Sequence, residues 1–154
     1  MDIAIPIFDR LTALDAIGPY EVLSRLPDAR VRFLGIEEPG PKRTDNGMLA
    51  LNADGVLADL PHPDVIVFPG GYGTRALMHE EAVLAWVRTA HETSQWTTSV
   101  CTGALVLGAA GILDGLEATT HWRVLDKLDE LGAIPVSRRV VEQDEVVQLA
   151  GRLA

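Results

Sequence analysis

Short apolar runs recur along the chain, separated by polar segments with glycine and proline. Runs of this length that are rich in valine and isoleucine are typical of strands buried in a parallel sheet. Weaker alternation between residues 49 and 56 predicts a short hairpin or excursion, and residues 140–149 predict paired strands that turn at Gln143 and Asp144. Buried strands are predicted over residues 3–8, 31–36, 64–68 and 97–100.

Helical periodicity fills most of the intervals between these strands. The pair Gly18-Pro19 predicts the start of a helix that runs to about Leu26, because proline is tolerated best in the first turn of a helix. Residues 102–110 are apolar nearly all round, which predicts a central, buried helix. Gly132 predicts the C-terminal stop of a last helix. Two amphipathic helices are predicted, over residues 81–93 with Val83, Trp86, Val87 and Ala90 on one face, and over residues 122–131 with Trp122, Leu125, Leu128 and Leu131 in register.

The alternation of strands and helices predicts an α/β fold in which helices cover both faces of an open, largely parallel sheet. No repeat, linker or low-complexity tract interrupts the sequence, so residues 1–154 are expected to form one domain. Ligands in such sheets bind beyond the C-terminal ends of the strands. Three loops are expected there: the loop before Gly18, the segment PGGYG at residues 69–73, and the turn at Cys101.

The composition of the chain excludes several classes of function. The 154 residues carry a net charge of −9, from 22 acidic and 13 basic side chains. An acidic surface repels phosphate backbones and anionic lipid, so we expect neither a nucleic-acid nor a membrane partner. No apolar run is long enough to span a bilayer, and the N-terminal segment MDIAIPIFDR lacks the features of a secretory signal. A single cysteine forms no internal disulfide, which fits the reducing cytoplasm.

Cys101 is the leading candidate for chemistry, because the segment TTSVCTGALVLGAAG places it between a strand and a buried helix. The free N–H groups at the helix start are expected to stabilise its thiolate form. Gly103, two residues further on, removes a side chain where the helix and strand cross closely. The geometry is similar to the nucleophile elbow of hydrolases, although Ser99 stands where that motif has glycine. The alternative is a buried structural cysteine.

Three further positions lie at the same end of the predicted sheet. Gly70 and Gly71, in PGGYG, would direct paired backbone N–H groups toward an oxyanion, or would form a plain tight turn. Asp15, between apolar neighbours before a helix, is either a helix N-cap or a catalytic carboxylate with a raised pKa. His121, in ATTHW, is either a base for Cys101 or a capping or packing residue. No histidine has the spacing of a metal site, so no metal is expected.

Four stretches, LDAIGPYEVL, IVFPGGYG, TSVCTGALVLGAAGIL and ATTHW, occur in this order. Together they resemble the ThiJ/PfpI family of the class-I glutamine-amidotransferase-like fold, most closely its isonitrile hydratase branch. The resemblance implies a flavodoxin-like three-layer sandwich and a homodimer. It further implies Cys101 as nucleophile, Asp15 as the acid facing it, Thr102 as a neighbouring hydroxyl donor and Gly71 as a backbone N–H donor, with His121 a bystander.

The activity that this resemblance implies is the hydration of small isonitriles to N-substituted formamides through a Cys101 thioimidate, without a cofactor. One alternative is a glyoxalase or deglycase acting on reactive carbonyls, for which Asp15 replaces the expected glutamate while His121 remains available. Another is a non-catalytic cysteine redox or ligand sensor related to the amino-terminal modules of AraC-type regulators. The family continues into a glycine-rich turn and a long final helix, so a chain ending at GRLA is expected to leave part of the sheet uncovered.

Overall fold

A seven-stranded sheet forms the centre of the structure, a computed structural model that describes residues 1–151. The strands are β1 Asp2–Pro6, β2 Arg30–Gly35, β3 Gly40–Arg43, β4 Ala50–Ala53, β5 Gly55–Val56, β6 Val65–Phe68, β7 Trp96–Val100, β8 Glu117–Ala118, β9 Ile134–Pro135, β10 Val140–Gln143 and β11 Val146–Leu149. Seven of these strands form the central sheet, in the order β10-β11-β7-β6-β1-β2-β5, and every neighbouring pair is parallel except β10 with β11. The other four form two separate pairs, β3 with β4 and β8 with β9. The largely parallel sheet predicted from the sequence is therefore confirmed.

The hairpin predicted at residues 140–149 is also confirmed. Strands β10 and β11 pair in antiparallel fashion around Asp144, whose φ of 53° lies in the left-handed region. The stretch at residues 49–56 contains no hairpin of its own: β4 pairs with the earlier strand β3, and β5 joins the edge of the large sheet beside β2. Strand boundaries differ from the predicted ones by one or two residues. The two-residue difference is at the end of β1, where the apolar run continues because Ile7 and Phe8 remain buried after the strand has ended.

Helices and a continuous apolar core cover the sheet. The helices are α1 Ala13–Leu23, α2 Thr74–Leu77, α3 Glu81–His91, α4 Gly103–Ala109 and α5 Lys127–Glu130. Helix α4 has buried residues from Gly103 through Gly108 and packs against β6 and β7 as well as against α2, α3 and α5. The prediction of a central helix that is apolar all round is therefore confirmed.

The predicted start of the first helix was wrong. Helix α1 begins at Ala13 rather than at Gly18, with Thr12 as its N-cap, so Pro19 lies inside the helix. The start is fixed by Leu11, which is fully buried and forms isolated β-bridges to Thr44 and Gly71. Tertiary anchoring at this point outweighs the preference of proline for the first turn.

The single helix predicted over residues 122–131 is also wrong. The segment forms a 3-10 turn at Trp122–Val124 and then the one-turn helix α5, and the Trp122 side chain is 59% exposed. Strands β8 and β9 flank this segment and pair with each other, so the sheet fixes the distance between its ends. Of the predicted apolar face, Leu128 is fully buried. Gly132 ends the helix with a φ of 83°, as expected.

The topology determines where a site can form. From β1 the chain passes to β2 on one side and later returns to β6 on the other side of β1. The connections that follow β1 and β6 therefore lead to opposite sides of the sheet's centre, and a crevice opens between the loops at the C-terminal ends of these two strands. The turn after the next strand, β7, borders the same crevice.

Two helical glycines provide a matched test of this packing. An added Cβ at Gly103 would lie 2.1 Å from the carbonyl oxygen of Phe68, whereas at Gly18 its nearest neighbour would be a Leu14 methyl at 3.8 Å. We expect Gly103→Ala to lower the free energy of unfolding by about 2 kcal/mol or more, because backbone must move. Gly18→Ala should change it by less than about 1 kcal/mol, because the gain in helix propensity is opposed by Pro19, whose ring disfavours a Cβ in the α region on the residue before it. Urea unfolding of both variants measures the contrast, and equal effects would contradict the described packing of α4.

Candidate active site

The loops after β1, β6 and β7 meet around one cavity. The backbone N–H of Thr12 donates to the carbonyl of Gly70 at 2.9 Å, which ties the first two loops together. The cavity has a volume of about 290 Å³, at the low end of the range for small-molecule sites. It is lined by Thr12, Leu14, Asp15, Asp45, Gly71, Tyr72, Arg75, Cys101, Thr102, His121, Arg123 and Gly151.

Cys101 occupies a strained elbow between β7 and α4. Its φ is +56°, in the left-handed region that residues with a Cβ adopt only at an energetic cost. Two hydrogen bonds hold the turn: the Cys101 N–H donates to the carbonyl of Leu149 at 2.9 Å, and the Thr120 hydroxyl donates to the Cys101 carbonyl at 2.8 Å. Only 8% of the Cys101 surface is exposed. The elbow predicted from the sequence is thus present.

The structure brings Asp15 and Cys101 into direct contact. Asp15 lies in the first turn of α1, is 6% exposed, and its carboxylate accepts hydrogen bonds from the Gly70 N–H at 3.2 Å and from the Cys101 thiol. The alternative of an N-cap is wrong, because Thr12 occupies that position. One loop therefore contributes a buried carboxylate and another contributes the thiol.

Two glycines leave room for this pair. An added Cβ at Gly70 would lie 2.8 Å from the Cβ of Cys101 and 2.9 Å from Oδ2 of Asp15. An added Cβ at Gly151 would lie 2.4 Å from Sγ of Cys101. Contacts this short exclude side chains at both positions, so the thiol and carboxylate meet only because the chain approaches them as bare backbone.

The protonation states differ from those expected at a helix start. Burial raises the pKa of Asp15 to about 6, although its hydrogen bonds with Cys101 and Gly70 act in the opposite direction. Burial and the Asp15 charge raise the pKa of Cys101 to about 12 and outweigh the hydrogen bonds from Thr102. The prediction that the helix start stabilises the thiolate form of Cys101 is therefore wrong. At neutral pH the site holds a neutral thiol hydrogen-bonded to a carboxylate, which is an acceptor for its proton.

Thr102 and Gly71 form a polar network beside this pair. The N–H of Gly71 donates to Oγ1 of Thr102 at 2.9 Å, and that hydroxyl lies 3.1 Å from both the Gly71 carbonyl and the hydroxyl of Thr74. The N–H of Gly70 is likewise bound, to Asp15. The two donors that the sequence suggested for an oxyanion are thus engaged by protein groups.

His121 caps the short turn that follows it. Its Nδ1 accepts the N–H of Arg123 at 3.2 Å, and its ring stacks on Trp122 with centroids 5.7 Å apart. Partial burial and the charges of Arg123 and Arg75 lower its pKa, so the ring is neutral at neutral pH. The geometry favours the capping alternative over the role of a base, although His121 remains part of the cavity wall.

Sequence reasoning missed several residues that line the cavity. Arg75 and Arg123 belong to no recognised motif, because Arg75 lies just after the segment PGGYG and Arg123 just after ATTHW. Asp45 reaches the cavity from the connection between β3 and β4, where the Thr12 hydroxyl donates to its carboxylate at 3.0 Å. Gly151 belongs to a tail to which the sequence assigned no role. Only the tertiary fold joins these positions.

Within residues 1–151, no group of three or more His, Cys, Asp or Glu side chains is placed to hold a metal ion. Among the helices of the same span, none has the length and apolar character needed to cross a bilayer.

Comparison with known proteins places this site in a family. The model of the DJ-1/PfpI family matches residues 1–151. Isonitrile hydratase from Pseudomonas putida is 44% identical over 141 residues, which cover 92% of this chain and 61% of that protein. The HTH-type transcriptional regulator CdhR from Pseudomonas aeruginosa is 30% identical over 128 residues, which cover 82% of this chain and 37% of the regulator.

A solved structure matches the whole described fold. The crystal structure of a ThiJ/PfpI family protein from Pseudomonas syringae superimposes with a TM-score of 0.92 at 33% sequence identity, covering 97% of this chain and 62% of that one. The chain thus spans about three fifths of the length of this protein and of the Pseudomonas putida hydratase.

Alkylation of the one cysteine tests the coupling of thiol and carboxylate. The iodoacetamide rate of the native chain should rise with pH without levelling below about pH 9, because burial and Asp15 oppose the thiolate. Asp15→Asn should move this titration to lower pH, and Asp54→Asn, an exposed carboxylate outside the cavity, should leave it unchanged. A native rate that levels off near neutral pH, or an Asp15→Asn profile that matches the native one, would contradict the described contact.

The raised pKa of Asp15 also predicts a pH-dependent stability. The folded state binds the Asp15 proton more tightly than the unfolded state does, so ionisation lowers native stability as the pH rises from about 4 to about 6. Asp15→Asn removes this loss and should raise the free energy of unfolding by about 2 kcal/mol near pH 7.5, with little gain near pH 4. Urea unfolding at both pH values measures the difference. An equal gain at both would show that Asp15 titrates normally.

Proposed function

Because the chain belongs to the DJ-1/PfpI family, we propose that it hydrates small isonitriles to N-substituted formamides through a covalent bond to Cys101. The observation that carries the proposal is the buried hydrogen bond between the Cys101 thiol and the Asp15 carboxylate at one end of a small cavity. The 44% identity to an isonitrile hydratase supports the choice of reaction. A soft sulfur nucleophile also suits the soft terminal carbon of an isonitrile.

In the first half-reaction Asp15 acts as a base and then as an acid. The sulfur of Cys101 forms a bond to the terminal carbon as its proton passes to the Asp15 carboxylate. The same carbon then takes that proton, which gives the thioimidate R–N=CH–S–Cys101. A carboxylate whose pKa lies near 6 is suited to both transfers near neutral pH.

In the second half-reaction a water molecule adds to the thioimidate carbon. Asp15 accepts a proton from the water as its oxygen bonds to carbon and passes that proton to the imine nitrogen, which gives R–NH–CH(OH)–S–Cys101. The carbon–sulfur bond then breaks with its electron pair going to sulfur, while the hydroxyl proton passes through Asp15 to sulfur and the hydroxyl oxygen becomes the formyl oxygen. The product R–NH–CHO leaves and Cys101 returns to its resting thiol.

Thr102 and Gly71 line the same cavity as the reacting pair. In this proposal the Thr102 hydroxyl, or the Gly71 N–H once released from it, donates to the nitrogen or oxygen that gains electron density. The network that joins them to Thr74 fixes the positions of these groups before substrate binds, and each donor exchanges a protein acceptor for the substrate atom when it acts.

Ligand binding without turnover is the second candidate, because 128 residues of the chain are 30% identical to a transcriptional regulator. In that case the cavity would recognise a small molecule while Cys101 stays a thiol. A glyoxalase is less well supported, since the carboxylate at its site is Asp15 and the neutral His121 is engaged as a cap. We also propose that the protein is a cytoplasmic homodimer, as the family resemblance implies.

Turnover of n-butyl isonitrile, followed by proton NMR of the formamide, tests the proposed reaction. Cys101→Ala and Asp15→Asn should each lower kcat/KM by about a thousandfold or more, because each removes a group that acts in both half-reactions. Intact-mass spectrometry should detect a covalent adduct of substrate mass on the native chain and none on Cys101→Ala.

Asp54→Asn serves as the control for loss of a carboxylate and should keep full activity. Appreciable turnover by Cys101→Ala, with its fold verified by circular dichroism, would overturn the covalent mechanism. Binding of the isonitrile without turnover by the native chain would favour the ligand-binding alternative.

A further inference from the structure

Four charged side chains line the cavity beside Cys101, namely the carboxylates of Asp15 and Asp45 and the guanidinium groups of Arg75 and Arg123. The charge of Asp45 raises the pKa of Asp15, and the charges of Arg123 and Arg75 lower the pKa of His121. The cavity that holds the nucleophile therefore also offers cationic groups.

Neither cavity arginine has a carboxylate partner among residues 1–151. The Arg75 guanidinium lies 4.7 Å from the ring centroid of Tyr72, and its Nη1 donates to the Gly71 carbonyl at 3.3 Å. The Arg123 guanidinium lies 5.1 Å from the ring centroid of Trp122. Of the other basic side chains in the same span, Arg25, Arg30, Arg88, Lys127 and Arg138 form ion pairs, whereas Arg10, Arg32, Lys42, Arg43 and Arg139 form none.

The surroundings of Arg75 and Arg123 leave guanidinium donors available. The chain carries 22 acidic and 13 basic residues, so carboxylates are abundant for any arginine placed near one. Arg75 and Arg123 are instead held by aromatic rings, with donors left for another acceptor. A guanidinium group binds a carboxylate through two parallel hydrogen bonds and is well suited to such an acceptor.

We propose that the cavity selects isonitriles that carry a carboxylate, with the isonitrile carbon at Cys101 and the carboxylate bound by Arg75 and Arg123. This inference rests on the proposed hydratase reaction and names its substrate class. Asp45, whose carboxylate accepts the Thr12 hydroxyl, repels an anion from its own part of the wall and so favours the orientation toward the arginines. A cavity of about 290 Å³ limits the linker between the two functional groups to a few carbon atoms.

A pair of substrates that differ only in charge tests the selection. The native chain should turn over 4-isocyanobutanoate with a kcat/KM about tenfold above that of its methyl ester. Arg75→Gln and Arg123→Gln should each lower kcat/KM for the acid by about tenfold, mainly through KM, and change the value for the ester less than about threefold. Arg25→Gln, which removes an exposed guanidinium paired with Glu21, is the matched control and should change neither.

A binding measurement separates failure of the reaction from failure of the selection. Calorimetry with Cys101→Ala protein and the reaction product 4-formamidobutanoate should show binding that weakens about tenfold on Arg75→Gln and is insensitive to Arg25→Gln. Turnover of both substrates with equal efficiency, unaffected by either cavity arginine, would overturn the selection and leave the hydratase in place. If neither substrate is turned over, the proposed function fails. Binding of 4-formamidobutanoate that weakens on Arg75→Gln would then still support the anion site, and binding that does not weaken would overturn it.

Discussion

The buried hydrogen bond between Asp15 and Cys101 is the contact on which the rest of the site depends. An ionised carboxylate 6% exposed and beside a thiol is unfavourable unless several elements hold it there. Helix α1 supplies the carboxylate, Gly70 gives it an N–H donor, and the strained turn after β7 directs the thiol toward it. Its raised pKa is a consequence of that placement, and the same placement makes the carboxylate a base near neutral pH.

The buried strands and the helices at residues 81–93 and 102–110 were predictable from the sequence, and so was the elbow at Cys101, because a strand, a cysteine and an apolar helix follow one another directly. The periodic stretch at residues 122–131 was not, because β8 and β9 pair with each other and fix the distance between its ends. The start of α1 was not, since it depends on Leu11 bridging distant residues. The raised pKa of Cys101 was not either, because the burial and the neighbouring carboxylate that oppose the thiolate arise only in the folded chain. Local pattern indicates where a nucleophile lies, whereas its protonation state is a tertiary property.

The cavity combines two kinds of contribution from the fold. The sheet topology brings the ends of β1, β6 and β7 together, and the ThiJ/PfpI family protein from Pseudomonas syringae shares this fold. The two arginines of the cavity come from short segments, with Arg75 in α2 and Arg123 in the turn after His121. Segments of this kind change without disturbing the sheet, so one scaffold can serve relatives that act on different small molecules.

The left-handed backbone at Cys101 has an evolutionary consequence. A residue with a Cβ in that region is destabilised by roughly 1 kcal/mol relative to glycine. A lineage that uses the cavity only to bind a ligand would gain stability by exchanging this residue for glycine or asparagine. A lineage that depends on the thiol must keep the strain, so the amino acid at position 101 reports whether selection still acts on chemistry there.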